Sequence, residues 1–248
     1  MSTLRTFAKN LIDRHSKYWV RNVAGLPIGA DLRVDIARLS RVNVRTIFDV
    51  GANRGQTYTQ FRHDFPDAMI HCFEPIRTPF TELSKVTAGD PRVICENVAL
   101  GEAAGSQVVT LHAEKDFLNS LRADLMNSAP GAEFQTVKIE TLDGYLSAKG
   151  IQSVDLLKID TEGYELHVLK GASQSLSAGR VSLVLSEMGF VSSDSRHTRF
   201  GELAELMLSY GYHFYGMYDI YHFQEWRFEK QHWVGYANGL FVQQGLLS

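Results

Sequence analysis

The stretch from Ile47 to Gly55 constrains the fold of this chain more than any other part of the sequence. An apolar run from Thr46 to Val50 gives way to small and polar residues, and a helix-compatible run follows from Gln56 to Phe65. This pattern predicts a buried strand, a tight turn and a helix. Gly51 and Gly55 let the backbone turn sharply, and the unpaired N–H groups of the helix start can hold a carboxylate or phosphate.

The glycine spacing in this turn discriminates between nucleotide ligands. The dinucleotide fingerprint G-x-G-x-x-G needs its second glycine where the pyrophosphate approaches, and this chain has Asn53 there. NAD is therefore disfavoured. The pattern D-x-G-x-x-x-G, which starts at Asp49, suits a nucleoside ligand without a pyrophosphate, such as S-adenosylmethionine (SAM). Taken alone, the glycines are equally typical of an ordinary strand-to-helix turn in any α/β protein.

An acid at the end of the next predicted strand supports the nucleoside interpretation. The run Met69–Phe73 is predicted to be a buried strand, and Glu74 and Pro75 follow it. In nucleotide-binding folds an acid about 20 residues past the glycine turn binds the ribose hydroxyls, and Glu74 has this spacing. The alternative for Glu74 is a solvated loop carboxylate.

The bulk properties of the chain exclude several classes of protein. A length of 248 residues allows one large α/β domain. No run of about 20 apolar residues predicts a membrane span, and the N-terminus lacks the apolar core of a secretory signal. Cys72 and Cys95 lie in apolar, strand-like runs, which predicts reduced thiols in a cytoplasmic protein.

Charge is distributed unevenly along the chain. Residues 1–45 carry an excess of Lys and Arg, whereas residues 46–248 are acidic enough to argue against nucleic-acid binding. Residues 1–23 are predicted to form an amphipathic helix. This helix either packs on the domain or acts as a lid or docking helix near an anionic or lipid-linked acceptor at a membrane surface. A second short helix is predicted over Asp31–Leu39.

The third predicted strand and its exit lie within Arg92–Leu100, after a helix over Pro79–Thr87. A small or polar loop at that exit would face the adenine of a nucleoside, so the candidates are Asn97, Val98 and Ala99. Asn97 is equally typical of a turn. The stretch Gln107–Ile139, with a polar loop at Asn119–Leu121, is predicted to be a β-excursion beside the nucleotide fold.

Charged residues gather around the end of the fourth predicted strand, Val154–Asp160. Ligands of open α/β sheets bind outside the carboxyl ends of the strands, and packing does not explain Lys158, Asp160 and Glu162 at such an end. The alternative is a pair of acids that complement a helix dipole. The fifth strand, Val181–Ser186, is predicted to end at another acid, Glu187.

Aromatic residues crowd the end of the chain. A helix is predicted over Phe200–Tyr210, and the last two strands over Tyr212–Met217 and Tyr236–Val242. Some aromatic side chains in polar context could stack on a sugar or another acceptor ring instead of packing in the core; these are Tyr218, Tyr221, Trp226 and Trp233. Among the histidines, His167 is predicted to be structural, and His197 and His222 are the weaker candidates for a base.

Taken together, these motifs resemble the FkbM-like family of SAM-dependent methyltransferases over about residues 45–243. The segment Lys158–Gly163 is the most specific part, and the first 45 residues are outside the resemblance. The residues that carry it are Asp49, Gly51, Ala52, Asn53, Gly55, Phe73, Glu74, Pro75, Asn97, Ala99, Leu100, Leu157–Gly163, Glu165 and Ala237–Val242.

The resemblance implies an α/β, Rossmann-like methyltransferase fold. Its mixed seven-stranded sheet has the last strand antiparallel and helices on both faces. Residues 46–248 would form the methyltransferase domain, and residues 1–45 a helical extension. The implied activity is methyl transfer to an oxygen, often a hydroxyl of a sugar, glycan or natural product.

The site residues follow as a hypothesis. Asp49, Gly51 and Asn53 would shape the methionine pocket, and backbone N–H groups near Gly55 and Thr57 would hold its carboxylate. Glu74 would bind the ribose. A hydroxyl is a weak nucleophile and must lose its proton during attack. Asp160 would lie nearest the methionine end of the cofactor and take part in catalysis, with Glu162 or Lys158 handling the proton or the charge of the acceptor.

A metal-assisted variant is also open. Asp160 and Glu187, at the ends of neighbouring strands, could share a Mg²⁺ ion that orients the acceptor and lowers its pKa. The alternative is two independent acids. Two rivals from other classes are an NAD-dependent oxidoreductase on a similar sheet and a non-catalytic SAM-binding module.

Overall fold

The computed structural model describes residues 25–39, 41–111, 133–192, 194, 196–224 and 232–247. The predicted helix over residues 1–23, the predicted loop Asn119–Leu121 and Trp226 lie outside the described residues. No helix in the described ranges is long and apolar enough to cross a membrane.

The centre of the fold is a seven-stranded sheet with the order β3-β2-β1-β7-β8-β10-β9. The strands β1, β2, β3, β7 and β8 are parallel, whereas β10 lies between β8 and β9 and is antiparallel to both. This topology confirms the predicted Rossmann-like sheet with its last strand antiparallel. The strand bounds are β1 Thr46–Val50, β2 Met69–Phe73, β3 Val93–Glu96, β7 Val154–Ile159, β8 Val181–Gly189, β9 Tyr212–Gln224 and β10 His232–Gln243.

Helices cover both faces of this sheet because successive side chains of a buried strand point to opposite faces. In β1, Phe48 and Val50 pack with α4 to α7, whereas Ile47 packs with α1 to α3. The helix bounds are α1 Leu32–Arg38, α2 Gln56–Asp64, α3 Arg77–Val86, α4 Leu142–Lys149, α5 Glu165–Lys170, α6 Ser173–Ser177 and α7 Phe200–Ser209.

The predicted β-excursion is a second, three-stranded sheet with the order β4-β6-β5. Its strands are β4 Ala99–Leu100, β5 Gly105–Leu111 and β6 Glu133–Glu140. Because β4 follows β3 directly, the exit of the third strand joins the two sheets. The residues that were candidates for adenine contacts therefore sit where the small sheet begins.

The predicted bounds of three strands are wrong. The fifth strand was expected to end at Glu187, but β8 continues to Gly189, because Met188 and Gly189 pair with Ala237 and Tyr236 of β10. Glu187 therefore lies within a strand. The last two strands also run further than predicted, because their polar and aromatic residues pair across a long hairpin that extends beyond the apolar core.

Tyr218 on β9 belongs to the core rather than to an acceptor platform. It is 4% exposed, and its hydroxyl donates to Asp35 of α1. Asp35 also accepts from the Gly29 N–H and pairs with Arg38. This buried carboxylate therefore fastens the segment before β1 to the edge strand of the sheet.

Candidate active site

The turn after β1 brings the glycine motif against the end of β7. Gly51 has φ +80°, and its N–H and that of Ala52 both donate to the Phe73 carbonyl at 3.0 Å. A Cβ atom on Gly51 would lie 1.8 Å from the Asp160 carbonyl oxygen. Only glycine fits here. The turn after β1 therefore packs directly against the backbone of Asp160 at the end of β7.

The start of α2 is open toward the same place. Its N-cap is Gly55, with φ +91° and no side-chain hydrogen bond to the cap. The first N–H groups of a helix have no acceptor within the helix, so those of Gln56 and Thr57 are available to a ligand. Both residues line the cavity described next.

A cavity of about 310 Å³ occupies the carboxyl edge of β1, β2 and β7. This volume lies within the range of roughly 300–1,000 Å³ typical of ligand sites. Glu74, which follows β2, and Asp160, which follows β7, both line it. The lining residues are Val50, Gly51, Ala52, Asn53, Gln56, Thr57, Phe73, Glu74, Pro75, Ile76, Pro79, Ala99, Leu100, Asp160, Thr161 and Glu162.

Of the three predicted adenine contacts, the structure places only Ala99 at the cavity. Val98 packs in the hydrophobic core. The Asn97 amide donates to the Glu74 and Pro75 carbonyls at 2.8 and 3.0 Å, so it holds the loop that carries Glu74. Leu100, which was not among the predicted adenine contacts, also lines the cavity.

Glu74 is held in place by backbone donors from both sides of the cavity. One carboxylate oxygen accepts from the Asn53 N–H at 2.9 Å, and the other accepts from the Ile76 N–H at 2.8 Å. The residue is only 6% exposed. Each carboxylate oxygen has two lone pairs, so Glu74 can also accept from ligand hydroxyls without losing these contacts.

Lys158 lies behind Asp160 as a buried cation. Its ammonium is 2.9 Å from an Asp160 oxygen and 3.9 Å from Asp49. Burial raises the pKa of Asp49 to about 6, because Lys158 only partly offsets the loss of water. Burial acts in the same direction on Asp160, but Lys158 and hydrogen bonds from Lys158 and Glu187 hold the pKa of Asp160 below its ordinary value. Asp160 is therefore an ionised carboxylate at neutral pH.

The loop after β7 is ordered by an acid that the sequence did not assign a role. One oxygen of Glu165 accepts from the Thr161 and Gly163 N–H groups, and the other accepts from the Thr198 hydroxyl. This loop holds Glu162 at φ +53°, a conformation that costs energy for any residue except glycine and that concentrates at functional sites. Arg196 pairs with the Glu162 carboxylate at 2.5 Å.

A second group of titratable side chains adjoins Asp160. His197 is 6% exposed, and its Nδ1 lies 2.5 Å from Asp194, while its Nε2 lies 3.4 Å from Glu187. Burial, then the neighbouring Asp160 charge, raises the pKa of Glu187 to about 9. Glu187 is therefore a neutral carboxyl at pH 7. The sequence placed His197 in a polar loop as a weak candidate, and the contact with Glu187 appears only in the folded chain.

Asp160 and Glu187, the residues predicted to share a Mg²⁺ ion, do not belong to the same close group of potential metal ligands. Among the described residues, the potential ligand atoms that lie within 4.8 Å of one another belong to Glu162, Glu187 and His197. Mg²⁺ prefers an all-oxygen octahedron, and one of these three is an imidazole. Lys158 already supplies a cation to Asp160. We therefore interpret the group as a network of ion pairs and shared protons.

The raised pKa of Glu187 makes the stability of the protein depend on pH. The folded-state pKa of Glu187, about 9, lies above the ordinary 4.5. The contribution of this carboxyl to the free energy of unfolding is therefore fully present below pH 4.5 and is lost as pH rises through 9. We expect Glu187→Gln to remove this loss. The difference in the free energy of unfolding between Glu187→Gln and wild type should therefore be at least about 1 kcal/mol more favourable to the variant at high pH than at low pH.

Chemical denaturation at the two ends of that pH range measures this effect. Glu202→Gln, at an exposed glutamate in the first turn of α7, is the control and should change little with pH. Parallel pH dependence of wild type and Glu187→Gln would contradict the neutral state of Glu187.

Comparison with known proteins adds to this geometry. A family model described as the methyltransferase FkbM domain matches residues 49–214. The chain is 28% identical over 195 residues to the 31-O-demethyl-FK506 methyltransferase FkbM of Streptomyces tacrolimicus, which covers 67% of this chain and 72% of that protein. It is 26% identical over 147 residues to the 2-O-methyltransferase NoeI of Sinorhizobium fredii (strain NBRC 101917 / NGR234), covering 54% of this chain and 60% of that protein.

Several solved structures match at low sequence identity. One is M. capricolum TrmK in complex with the natural cofactor product S-adenosyl-homocysteine. It matches with a TM-score of 0.44 and 10% sequence identity, covering 87% of this chain and 69% of that chain.

Proposed function

Because the chain belongs to the FkbM family of methyltransferases, we propose that it transfers the methyl group of SAM to a hydroxyl oxygen of a sugar, glycan or natural-product acceptor. The observation that carries this proposal is the placement of two carboxylates on one cavity. Glu74 is preorganised by backbone donors where a ribose would bind, and the ionised Asp160 stands at the end of β7.

The described residues fit this cofactor. Asn53 lines the cavity, and its buried side-chain oxygen has no hydrogen-bond donor within the part of the chain that the structure describes. A methionine ammonium group would provide one. The open N–H groups of Gln56 and Thr57 suit a carboxylate, and the apolar Ile76 and Leu100 suit an adenine ring.

The chemistry then divides between the cofactor and the protein. When bound, SAM supplies a methyl group that its sulfonium already activates. The protein has to align an acceptor hydroxyl with that methyl group and to remove the hydroxyl proton. Asp160 is the acceptor of that proton. Lys158 keeps Asp160 ionised and holds its carboxylate at 2.9 Å in one orientation. Glu162, which pairs with Arg196, also lines the cavity.

The acceptor is proposed from the relatives and not from the site alone. The names of both relatives specify methylation at an oxygen, which supports a hydroxyl as the methylated group. Contact of residues 1–23 with a membrane or a lipid-linked acceptor remains a separate proposal.

Two measurements test the function. Calorimetry should detect binding of SAM and of S-adenosylhomocysteine but not of NAD. Incubation with methyl-labelled SAM and a panel of sugars, glycans and polyketide alcohols should then transfer label to oxygen. A protein that ignores SAM and its demethylated product at millimolar concentration would remove the proposal.

The ribose role of Glu74 predicts a selective loss of cofactor affinity. Glu74→Gln replaces a charged acceptor by a neutral amide, and hydrogen bonds to charged groups contribute about 1.5–3 kcal/mol. We expect the Kd for SAM to rise about 10- to 100-fold, with a smaller effect on the KM for the acceptor. Calorimetry measures the first and initial rates the second.

Glu82→Gln is the matched control for this variant. Glu82 lies on α3 and pairs with Lys85 at the surface, so its replacement should leave the Kd for SAM unchanged. An equal loss of affinity in both variants, or none in Glu74→Gln, would argue against ribose binding by Glu74.

A further inference from the structure

Four side chains form a continuous path that leads from the cavity into the protein. Asp160 lines the cavity and is hydrogen-bonded to Glu187. Glu187 lies 3.4 Å from Nε2 of His197, and Nδ1 of His197 lies 2.5 Å from Asp194. The path draws on three parts of the fold, namely the loop after β7, strand β8 and the loop before α7.

Methyl transfer alone does not account for where the proton on Asp160 goes next. Lys158 keeps Asp160 as a carboxylate, which makes it a poor final holder of a proton. A base works best when its pKa is near the working pH. The proton that Asp160 receives from the acceptor therefore needs a second destination.

An imidazole can accept a proton on one ring nitrogen while the other nitrogen donates, and His197 places one at this point of the path. Asp194 contacts Nδ1 of His197, which places the N–H on Nδ1 and leaves Nε2 as an acceptor facing Glu187. His197 is also fixed by stacking on Tyr236, with ring centroids 4.4 Å apart and planes 15° apart.

We propose that His197, oriented by Asp194, is a positioning residue that takes up the acceptor proton through Glu187 and so returns Asp160 to its carboxylate form. This proposal rests on the proposed function. It adds a proton path to the methyl transfer and gives a role to three residues that the cofactor cavity does not use.

The path balances protons and bonds. The carbon–sulfur bond of the donor breaks and the carbon–oxygen bond to the acceptor forms, while the acceptor proton passes to Asp160. The Glu187 hydroxyl, which donates to Asp160 in the resting site, turns toward Nε2 of His197 and gives its proton there, and Asp160 then gives its proton to the Glu187 carboxylate. The resulting imidazolium lies between two acids and returns its proton to solvent before the next cycle.

Other polar and charged groups also face His197. Arg196 belongs to its own loop, Tyr236 stacks on it from β10, and Asp160 and Glu162 act from the loop after β7. Burial would raise the pKa of Asp194, but hydrogen bonds from His197 and from the Arg196 N–H hold the pKa of Asp194 below its ordinary value. The carboxylate behind the imidazole is therefore ionised.

The test compares the pH dependence of kcat in wild type, His197→Gln and Asp194→Asn. Wild-type kcat should fall on the acid side of its pH profile, because an already protonated His197 cannot take up another proton. His197→Gln should lower kcat about 100-fold and remove this limb, with the Kd for SAM within about threefold of wild type. Asp194→Asn should move the limb to lower pH, because the imidazolium loses its neighbouring anion.

His167 provides a matched control. Its Nδ1 lies 3.1 Å from Glu102, and its ring stacks on Tyr164 at 4.3 Å, so it has the same kinds of partner as His197. His167→Gln should keep the wild-type pH profile. Unfolding temperatures of all variants show whether a loss of rate is a loss of folded protein.

Three outcomes would overturn the relay. One is a wild-type acid limb in folded His197→Gln. Another is an equal loss of rate in His167→Gln. The third is loss of activity in EDTA that Mn²⁺ restores, which would mean that Glu162, Glu187 and His197 bind a metal ion. Absence of methyl transfer by the wild-type protein would instead remove the proposed function.

Discussion

We expect Asp160→Asn to lower kcat by about 10²- to 10⁴-fold, the range typical of a lost general base. The asparagine amide cannot accept the proton of an acceptor hydroxyl, and it also removes the anion that pairs with Lys158 at 2.9 Å. The cofactor contacts proposed for Glu74 and for the start of α2 would remain. The Kd for SAM should therefore change much less than kcat, by about tenfold or less.

Steady-state kinetics and calorimetry on the same preparation separate the two quantities. Asp155→Asn is the control at the other end of the same strand, where Asp155 accepts from the Arg45 and Thr46 N–H groups. This variant alters a carboxylate on β7 far from the cavity and should keep the wild-type kcat. A kcat of Asp160→Asn within about threefold of wild type would mean that another group is the base.

The same measurement bears on Lys158. If the role of Lys158 is to keep Asp160 ionised, then Asp160→Asn leaves it with Asp49 at 3.9 Å as its nearest acid in the described site. Asp49 would take over as counter-ion, and its pKa of about 6 should fall. The loss of rate would then come from Asp160 itself and not from a collapsed site.

The parts of the site that could be predicted from the sequence are those built by local backbone geometry. The turn between β1 and α2 follows from glycines at fixed offsets, and Glu74 follows from a strand that ends at a proline. In parallel strands the carboxyl ends meet at one edge, so Asp160 could be placed at the ligand-binding edge of the sheet without knowledge of any tertiary contact.

The parts that could not be predicted depend on contacts between distant segments. Glu187 was placed at a strand end because the apolar run stops at Ser186, but pairing with β10 extends the strand. His197 comes from a loop without hydrophobic periodicity, and only the packing of that loop against β8 brings it to Glu187. The i, i+3 spacing of Asp194 and His197 was visible in the sequence, but it is too common to predict a contact.

Asn97 illustrates a different limit. Its position after β3 was predicted well, but a short amide near a cavity can face either the ligand or the backbone. In the structure, the Asn97 side-chain amide donates hydrogen bonds to the carbonyls of Glu74 and Pro75. Residue type and position therefore identified a residue that holds the loop carrying Glu74, and only the fold determined whether its amide faces the cavity or the backbone.

The second large effect is expected at Gly51. Gly51→Ala would put a Cβ atom 1.8 Å from the Asp160 carbonyl oxygen and 2.8 Å from its carbonyl carbon, at a residue with φ +80°. Both neighbours are backbone, so no side chain can move away to relieve the contact. We expect the free energy of unfolding to fall by about 3–5 kcal/mol, and Tm by roughly 10 °C.

Gly89→Ala separates the two causes of this loss. Gly89 has nearly the same backbone conformation, φ +85°, but a Cβ atom there would meet nothing within 4 Å. Its replacement should cost only the left-handed strain, about 1–2 kcal/mol. Any folded Gly51→Ala protein should also bind SAM at least about tenfold more weakly, because the turn or the Asp160 loop must shift, whereas Gly89→Ala should bind normally. Equal losses of stability in the two variants would mean that β1 and the end of β7 are not packed as closely as the structure indicates.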